Sequence, residues 1–145
     1  MTFNCTVIIN KPISAVVPLF SNPKYLKDYQ DGFIKKVLIS GEAGQVGAIS
    51  KMYYKQGKGE MELTETILEN KLPDYFLGSY HHKHMDNTMK STFEALSDTQ
   101  TKYSAEIDYT AFRGFIPKLM RFFPSIFKKQ VEKWLVNFKA FAEKY

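Results

Sequence analysis

The C-terminal segment constrains the fold most, because it predicts a long amphipathic helix at the end of a strand-rich chain. Residues 125–144 contain no Gly or Pro, and their apolar side chains recur at the spacing of one helix face. This apolar stripe consists of Phe127, Val131, Trp134, Leu135, Phe138, Phe141 and Ala142. Such a stripe has to be buried against another apolar surface. We therefore expect the helix to cover one face of a sheet.

The residues before this helix alternate between apolar and polar side chains, as strands do. Residues 3–10 predict a first strand, and residues 13–20 and 24–29 predict two short helices. The second helix follows Ser21-Asn22-Pro23, which is a helix start signal. Turn signals separate six further strands, expected at residues 33–40, 46–55, 60–69, 75–84, 88–96 and 101–113.

Turns as short as these join antiparallel neighbours, because parallel strands need crossovers of about a dozen residues or more. The sequence therefore predicts an α+β fold: a seven-stranded antiparallel sheet, two short helices and a long C-terminal helix. The chain has 145 residues and 44% hydrophobic content, so we expect residues 1–145 to form one domain around one core.

Composition argues against several classes of protein. No stretch approaches the roughly 20 apolar residues of a membrane span, and the N-terminal residues are too polar for a signal peptide. We expect a soluble, cytoplasmic protein. Cys5 is the only cysteine, which excludes an internal disulfide and a cysteine-rich metal site. We interpret Cys5 as a small buried side chain, with a reactive thiol as the alternative.

The positive charge is concentrated at the C-terminus. The formal net charge is +5, and residues 116–145 alone hold seven basic and two acidic side chains, which also gives +5. A solvated helix face is the favoured interpretation. An anionic ligand, an acidic partner or peripheral membrane contact are alternatives. Nucleic acid is not expected as a partner, because the chain has only two Arg.

Three aromatic residues lie beside this basic region. We expect Phe115, Phe122 and Phe123 to be buried against the sheet, with insertion into a bilayer or gating of a cavity as alternatives. The sequence does not indicate an oligomeric state.

Three segments resemble the START-like, or SRPBCC, superfamily. Residues 7–29 (VIINKPISAVVPLFSNPKYLKDY) resemble its opening strand and first helices, and residues 41–50 (GEAGQVGAIS) resemble its Gly-rich turn. Residues 112–145 resemble its closing helix, with the tail residues Phe138, Lys139 and Glu143. The resemblance covers essentially the whole chain and implies a helix-grip fold over a ligand cavity. It implies no single activity, because the superfamily includes lipid and sterol carriers, quinone-binding proteins, plant hormone receptors and aromatic polyketide cyclases.

Alternation along the strands predicts which side chains face the helix. A two-residue turn at Asp86-Asn87 would place Tyr80 opposite Phe93 and His82 opposite Ser91. The predicted cavity lining is Met52, Tyr54, Tyr80, His82, Met89, Ser91, Phe93, Tyr103, Ile107, Tyr109, Trp134 and Phe138. Tyr hydroxyls and Met side chains suit a flexible apolar ligand with one or two polar groups. The alternative is that the same residues only fill a core.

Few residues are candidates for catalysis. Glu65 is expected to point inward if its strand has no bulge, and carboxyl groups in apolar cavities are suited to acid–base chemistry. A strand end open to water, or a Lys or Arg partner, is the alternative. His82 is a candidate hydrogen-bond donor or general base, with solvent exposure as the default for a histidine at a hairpin tip. Tyr109 is the third candidate.

No metal site and no cofactor is expected. Three histidines occur at positions 81, 82 and 84, but only His82 and His84 would share a strand face, and no third ligand is evident.

Two functions follow as hypotheses. The leading one is non-catalytic binding or carriage of a hydrophobic small molecule, such as a lipid, a quinone or a polyketide-like compound. The alternative is an enzyme of the cyclase, dehydratase or hydrolase type that acts in the same cavity. The sequence contains no Ser/His/Asp nucleophile arrangement, phosphate-binding Gly loop or HExxH motif, which favours binding.

Overall fold

A computed structural model describes the chain from Met1 to Tyr145. The strands are β1 (Thr2–Ile9), β2 (Phe33–Ser40), β3 (Ile49–Gln56), β4 (Gly59–Lys71), β5 (Tyr75–His82), β6 (Met85–Ser97) and β7 (Gln100–Phe112). The helices are α1 (Ile13–Ser21), α2 (Leu26–Tyr29), α3 (Ile116–Phe122) and α4 (Pro124–Lys144). The predicted order of elements is therefore confirmed. No helix combines the length and the apolar character needed to span a membrane.

The segment leading into α2 begins at the predicted start signal. The side chain of Asn22 accepts a hydrogen bond from the backbone N–H of Lys24 at 3.1 Å, and Pro23 occupies the first position of a short 3-10 turn that runs into α2. Proline suits this position because its fixed φ matches the helix and its missing N–H would have no partner there.

The strands form one antiparallel sheet in the order β1-β7-β6-β5-β4-β3-β2. β1 pairs with β7 in unbroken register, from Thr2 opposite Asp108 to Ile9 opposite Thr101. The C-terminal helix covers the end of the free edge of β1, where the Glu143 carboxylate accepts a hydrogen bond from the backbone N–H of Asn10 at 2.8 Å. β2 forms the opposite edge of the sheet.

Helix α4 packs against β1 and β7 with the apolar stripe that the sequence predicts. Its buried residues are Phe127, Val131, Leu135, Phe138 and Ala142. The sheet face toward α4, the inner face, is buried along β7 at the alternate positions expected, which are Tyr103, Ala105, Ile107 and Tyr109. Phe138 is only 2% exposed, and it meets Tyr103 edge-on at 5.5 Å between ring centroids. These contacts hold the helix on the sheet.

Cys5 belongs to the same core, as predicted. It is a free thiol on the inner face of β1, opposite Ala105. Burial raises the pKa of this thiol, so it stays protonated and packs as a small apolar group.

The predicted turn between β5 and β6 is wrong. Tyr80 lies opposite Asn87, not opposite Phe93, and His81 lies opposite Asp86. Asp86 is fixed within β6 because its carboxylate accepts hydrogen bonds from Arg113 at 2.8 and 3.1 Å. The turn therefore falls at Lys83 and the following residue. The pairing partner of Tyr80 moves by six residues, from Phe93 to Asn87. Because six is an even number, the side chains predicted to face inward still do so.

The sequence-based expectation of burial is wrong for four aromatic side chains. Phe115, Phe122 and Phe123 are 63%, 67% and 56% exposed, because α3 buries Ile116 and Met120 on its other side. Trp134 is also on the exposed side of its helix, at 36%. It lies beside the buried stripe of α4 and is not part of the buried core.

Candidate functional site

One row of inner-face residues crosses the sheet from β7 to β3. Tyr109 on β7 lies opposite Asn87 on β6, which lies opposite Tyr80 on β5. Tyr80 lies opposite Glu65 on β4, and Glu65 lies opposite Ser50 on β3. Directly opposed residues of antiparallel strands point to the same face. With neighbouring strands about 4.8 Å apart, Tyr109 and Glu65 are separated by roughly 14 Å.

Glu65 is the buried charge in this row, at 6% exposure. Its Oε1 lies 2.8 Å from Nζ of Lys36, and its Oε2 accepts a hydrogen bond from the Tyr80 hydroxyl at 2.9 Å. Lys36 reaches the inner face because the pairing of β2 shifts register between Phe33 and Lys35. The ion pair compensates both charges, and a buried pair of this kind depends on each partner.

Tyr80 is held over Gly78. A Cβ atom at Gly78 would lie 2.6 Å from the Tyr80 hydroxyl oxygen and 2.9 Å from its ring. No side chain other than hydrogen fits there, so Gly78 provides the space in which Tyr80 reaches Glu65.

A second hydrogen bond connects the sheet to α2. The Tyr54 hydroxyl on β3 donates to Oε1 of Gln30 at 2.6 Å. Tyr54 belongs to a small apolar cluster with Leu26 and Met52, which is separate from the main core. Tyr29 packs against both clusters and marks where they meet. We call Gln30, Lys36, Tyr54, Glu65 and Tyr80 the inner polar cluster.

The tyrosine hydroxyls of the inner face keep their protons at neutral pH. Burial raises the pKa of Tyr103 and that of Tyr109 to about 12. Burial, followed by the nearby charge of Glu65, also raises the pKa of Tyr54 and of Tyr80. All four hydroxyls remain protonated at neutral pH.

The inner face is covered unevenly. Ile107 on β7 is fully buried, whereas Met89, opposite it on β6, is only partly buried. Leu63 and Met61 on β4 face the same side and are also partly buried. The burial is greater on β7 than on β4 and β6 because α4 packs chiefly against β1 and β7. Apolar side chains over β4 to β6 therefore retain accessible surface on the inner face.

Two surface depressions have volumes of about 460 and 410 Å³. The first lies between α4 and the residues around α2, and Tyr29, Gln30 and Phe141 are part of its lining. Gln30 also contacts the Tyr54 hydroxyl, so this depression adjoins the inner polar cluster. The second lies on the outer face of β1, β6 and β7 among polar residues such as Thr6 and Lys90.

The three candidate catalytic residues do not form one constellation. Glu65 bonds to Tyr80 and Lys36. Tyr109 packs with aromatic rings of the core. His82 lies opposite Leu63 on the inner face, and its Nδ1 accepts a hydrogen bond from the backbone N–H of residue 84. Burial and neighbouring positive groups lower the pKa of His82, so its neutral form is favoured.

Apart from Trp134, the predicted lining residues fall into two groups. Those that are buried are Met52, Tyr54, Ser91, Phe93, Tyr103, Ile107, Tyr109 and Phe138. Tyr80, His82 and Met89 are partly buried. Phe93, Tyr103, Ile107 and Phe138 belong to the main core, where they pack against each other.

Sequence reasoning missed three residues of the site. The inward direction of Lys36 depends on a register shift in β2, which leaves no pattern in the sequence. Gln30 has no signal of its own. Gly78 interrupts a strand without a turn, and an isolated strand glycine is a sign of close approach by another group.

The geometry defines the helix-grip fold: a seven-stranded antiparallel sheet with a long C-terminal helix packed on it. Zhui aromatase/cyclase from Streptomyces sp. R1128 matches with a TM-score of 0.78 and 10% identity, over 99% of this chain and 94% of that one. Ara h 8.0201 matches with a TM-score of 0.71 and 9% identity, over 100% and 99%.

The di-domain aromatase/cyclase BexL from the BE-7585A biosynthetic pathway matches with a TM-score of 0.80 and 9% identity, over 99% of this chain and 46% of that chain. No protein-family model and no curated protein matches the sequence. At these identities the likeness establishes the helix-grip fold and no particular activity.

Proposed function

We propose that this protein binds or carries a hydrophobic small molecule between α4, α2 and the inner face of β3 to β6. The observation that carries the proposal is the accessible apolar surface over β4 to β6, beside the inner polar cluster. Solved proteins with this fold include aromatase/cyclases.

The polar groups of the site indicate what the ligand carries. Lys36 and Glu65 neutralise each other, so the site offers no net charge to attract an ion. The hydroxyls of Tyr54 and Tyr80 donate their single protons to a side-chain amide and a carboxylate. Their oxygens can accept a hydrogen bond from a ligand hydroxyl, and a ligand carbonyl can replace one of these partners as acceptor. A ligand with an apolar body and one or two carbonyl or hydroxyl groups fits this chemistry best. Lipids, quinones and polyketide-like compounds share that description.

Dye binding tests the proposal. Anilinonaphthalene sulfonate should bind the wild-type protein, and Met89→Trp, which adds volume over the accessible inner face, should weaken that binding about tenfold or more. Leu63→Trp on β4 should act in the same way. Lys90→Trp is the matched control, because Lys90 is the exposed neighbour of Met89 on the outer face. The proposal is wrong if Lys90→Trp and Met89→Trp affect dye binding equally in folded proteins.

An enzyme of the cyclase, dehydratase or hydrolase type is the second candidate, favoured by one observation. Glu65 is buried and accepts a hydrogen bond from Tyr80, which is an arrangement able to exchange a proton with a bound molecule. Small molecules extracted from the host cells would be incubated with the protein and followed by mass spectrometry. If one compound loses or gains water in the presence of the wild-type protein, but not in the presence of the Glu65→Gln variant, the result would favour the enzymatic function. The same products with both proteins would remove Glu65 from that role.

A further inference from the structure

The corner between α3 and α4 exposes an unusual group of apolar side chains. Phe115, Phe122 and Phe123 are more than half exposed, and Ile126 is 49% exposed. Phe115 directly precedes α3 and Phe122 ends it. Their spacing of seven residues places both on the same side of the helix. The opposite face is anchored in the core by buried Ile116. The corner is therefore anchored in the core with its aromatic side chains directed outward.

The same corner is strongly basic. Residues 115–129 contain four basic and no acidic side chains. None of the four, which are Lys118, Arg121, Lys128 and Lys129, forms an ion pair. The guanidinium of Arg121 lies 5.6 Å from the ring of Phe122, so charge and aromatic surface are directly adjacent.

Lys133, farther along α4, is a useful contrast. It pairs with Asp31 at 2.9 Å, as expected for a helix that packs beside other parts of its own chain. The four basic residues of the corner have no such partner in the fold, so their charge is available to something outside it.

We propose that residues 115–129 form a docking surface for anionic lipid membranes. Exposed aromatic and aliphatic side chains enter the boundary between headgroups and acyl chains, and adjacent cations bind anionic headgroups. A second copy of this chain fits the surface less well, because two copies would bring eight unpaired positive charges together. The proposal is independent of whether the inner face binds a ligand.

Phe115 also connects this surface with the candidate site. Its ring lies 5.8 Å from that of His84, at the turn between β5 and β6, and His82 on the inner face is adjacent to this turn. Docking would therefore bring the end of the sheet that carries His82 toward the lipid.

Vesicle co-sedimentation tests the surface. The wild-type protein should bind phosphatidylserine–phosphatidylcholine vesicles at low ionic strength, bind more weakly at about 0.15 M salt, and bind vesicles of phosphatidylcholine alone weakly. Lys118→Gln/Arg121→Gln should reduce the affinity for anionic vesicles about tenfold or more. Phe122→Ser/Phe123→Ser should do so as well, because the inserted apolar area is lost.

Matched variants away from the corner serve as controls. Ile8→Ser/Leu96→Ser changes exposed apolar residues, and Lys71→Gln/Lys90→Gln changes exposed basic residues. Both should bind anionic vesicles like wild type, with circular dichroism showing that every variant is folded.

Three outcomes would overturn the proposal. The first is the absence of binding to anionic vesicles at low ionic strength. The second is equal loss in the control and corner variants. The third is a dimer in sedimentation velocity that Phe122→Ser/Phe123→Ser converts to a monomer, with no vesicle binding, which would make this surface an interface between copies.

Discussion

The ion pair between Lys36 and Glu65 provides the sharpest test of the inner polar cluster. The Lys36→Met variant keeps an unbranched side chain of nearly the same length and removes its charge. The Glu65 carboxylate, with a side chain 7% exposed, is then left with one hydrogen bond from Tyr80. Removing one member of a buried pair costs about 3–5 kcal/mol. The Lys36 side chain is 23% exposed, so water replaces part of its interaction, and we expect a loss of roughly 2–3 kcal/mol.

Urea unfolding followed by circular dichroism measures this loss. For a domain of this size, the expected loss of unfolding free energy corresponds to a midpoint of thermal unfolding that is lower by roughly 5–10 °C. Lys51→Met is the matched control, because Lys51 pairs with Glu62 at 3.0 Å on exposed surface and should change stability little. Lys36→Met/Glu65→Leu removes both charges and should recover most of the lost stability. Equal stability of the Lys36→Met and Lys51→Met variants would refute the reasoning.

Three further predictions concern packing and pH. Gly78→Ala should cost about 1–3 kcal/mol, because the added Cβ would overlap Tyr80, and denaturant unfolding measures it. Phe138→Ala should cost about 3–5 kcal/mol, because a fully buried ring is removed from the main core, which the same assay detects. Hydrogen bonds from Arg113 lower the pKa of Asp86 to about 2, so Asp86 stabilises the fold above about pH 4 and loses that contribution as the pH falls toward 2. Unfolding measured across this range should therefore be less pH-dependent in Asp86→Asn.

Each of these predictions has a control that could contradict it. Gly59→Ala should change stability little, since a Cβ there has no neighbour closer than 4.0 Å. Trp134→Ala should cost clearly less than Phe138→Ala, since Trp134 is 36% exposed. Asp98→Asn changes an exposed turn carboxylate that forms no ion pair. This variant should keep the pH dependence of unfolding that the wild-type protein shows. If a control changes the unfolding free energy, or its pH dependence, as much as its partner variant does, the contact behind that prediction has been misinterpreted.

The architecture was predictable because each element carries its own periodic signal. The stripe from Phe127 to Ala142 and the alternation along β7 are local patterns, and burying both on each other requires a helix packed on a sheet. The inward direction of Glu65 follows from the same alternation, because the bulge in β4 lies beyond it, between Ile67 and Glu69.

Other features of the site depend on residues far apart in the chain. The turn after β5 is set by Arg113, which lies 27 residues from the Asp86 that it binds, so no local turn signal reveals it. The partner of Glu65 depends on the register shift in β2. The exposure of Phe122 and Phe123 reflects which side of α3 meets the core, and their apolar character alone predicted burial.

Methionine methyl NMR tests the central claim most directly, because the chain has six methionines in distinct environments. On titration with anilinonaphthalene sulfonate, the methyl signals of Met52 and Met89, which face inward on β3 and β6, should shift together and saturate at the affinity that fluorescence gives. The signal of Met1, which is 54% exposed at the N-terminus, should not follow them. Saturable dye binding that leaves Met52 and Met89 unchanged would place the ligand elsewhere and contradict the account.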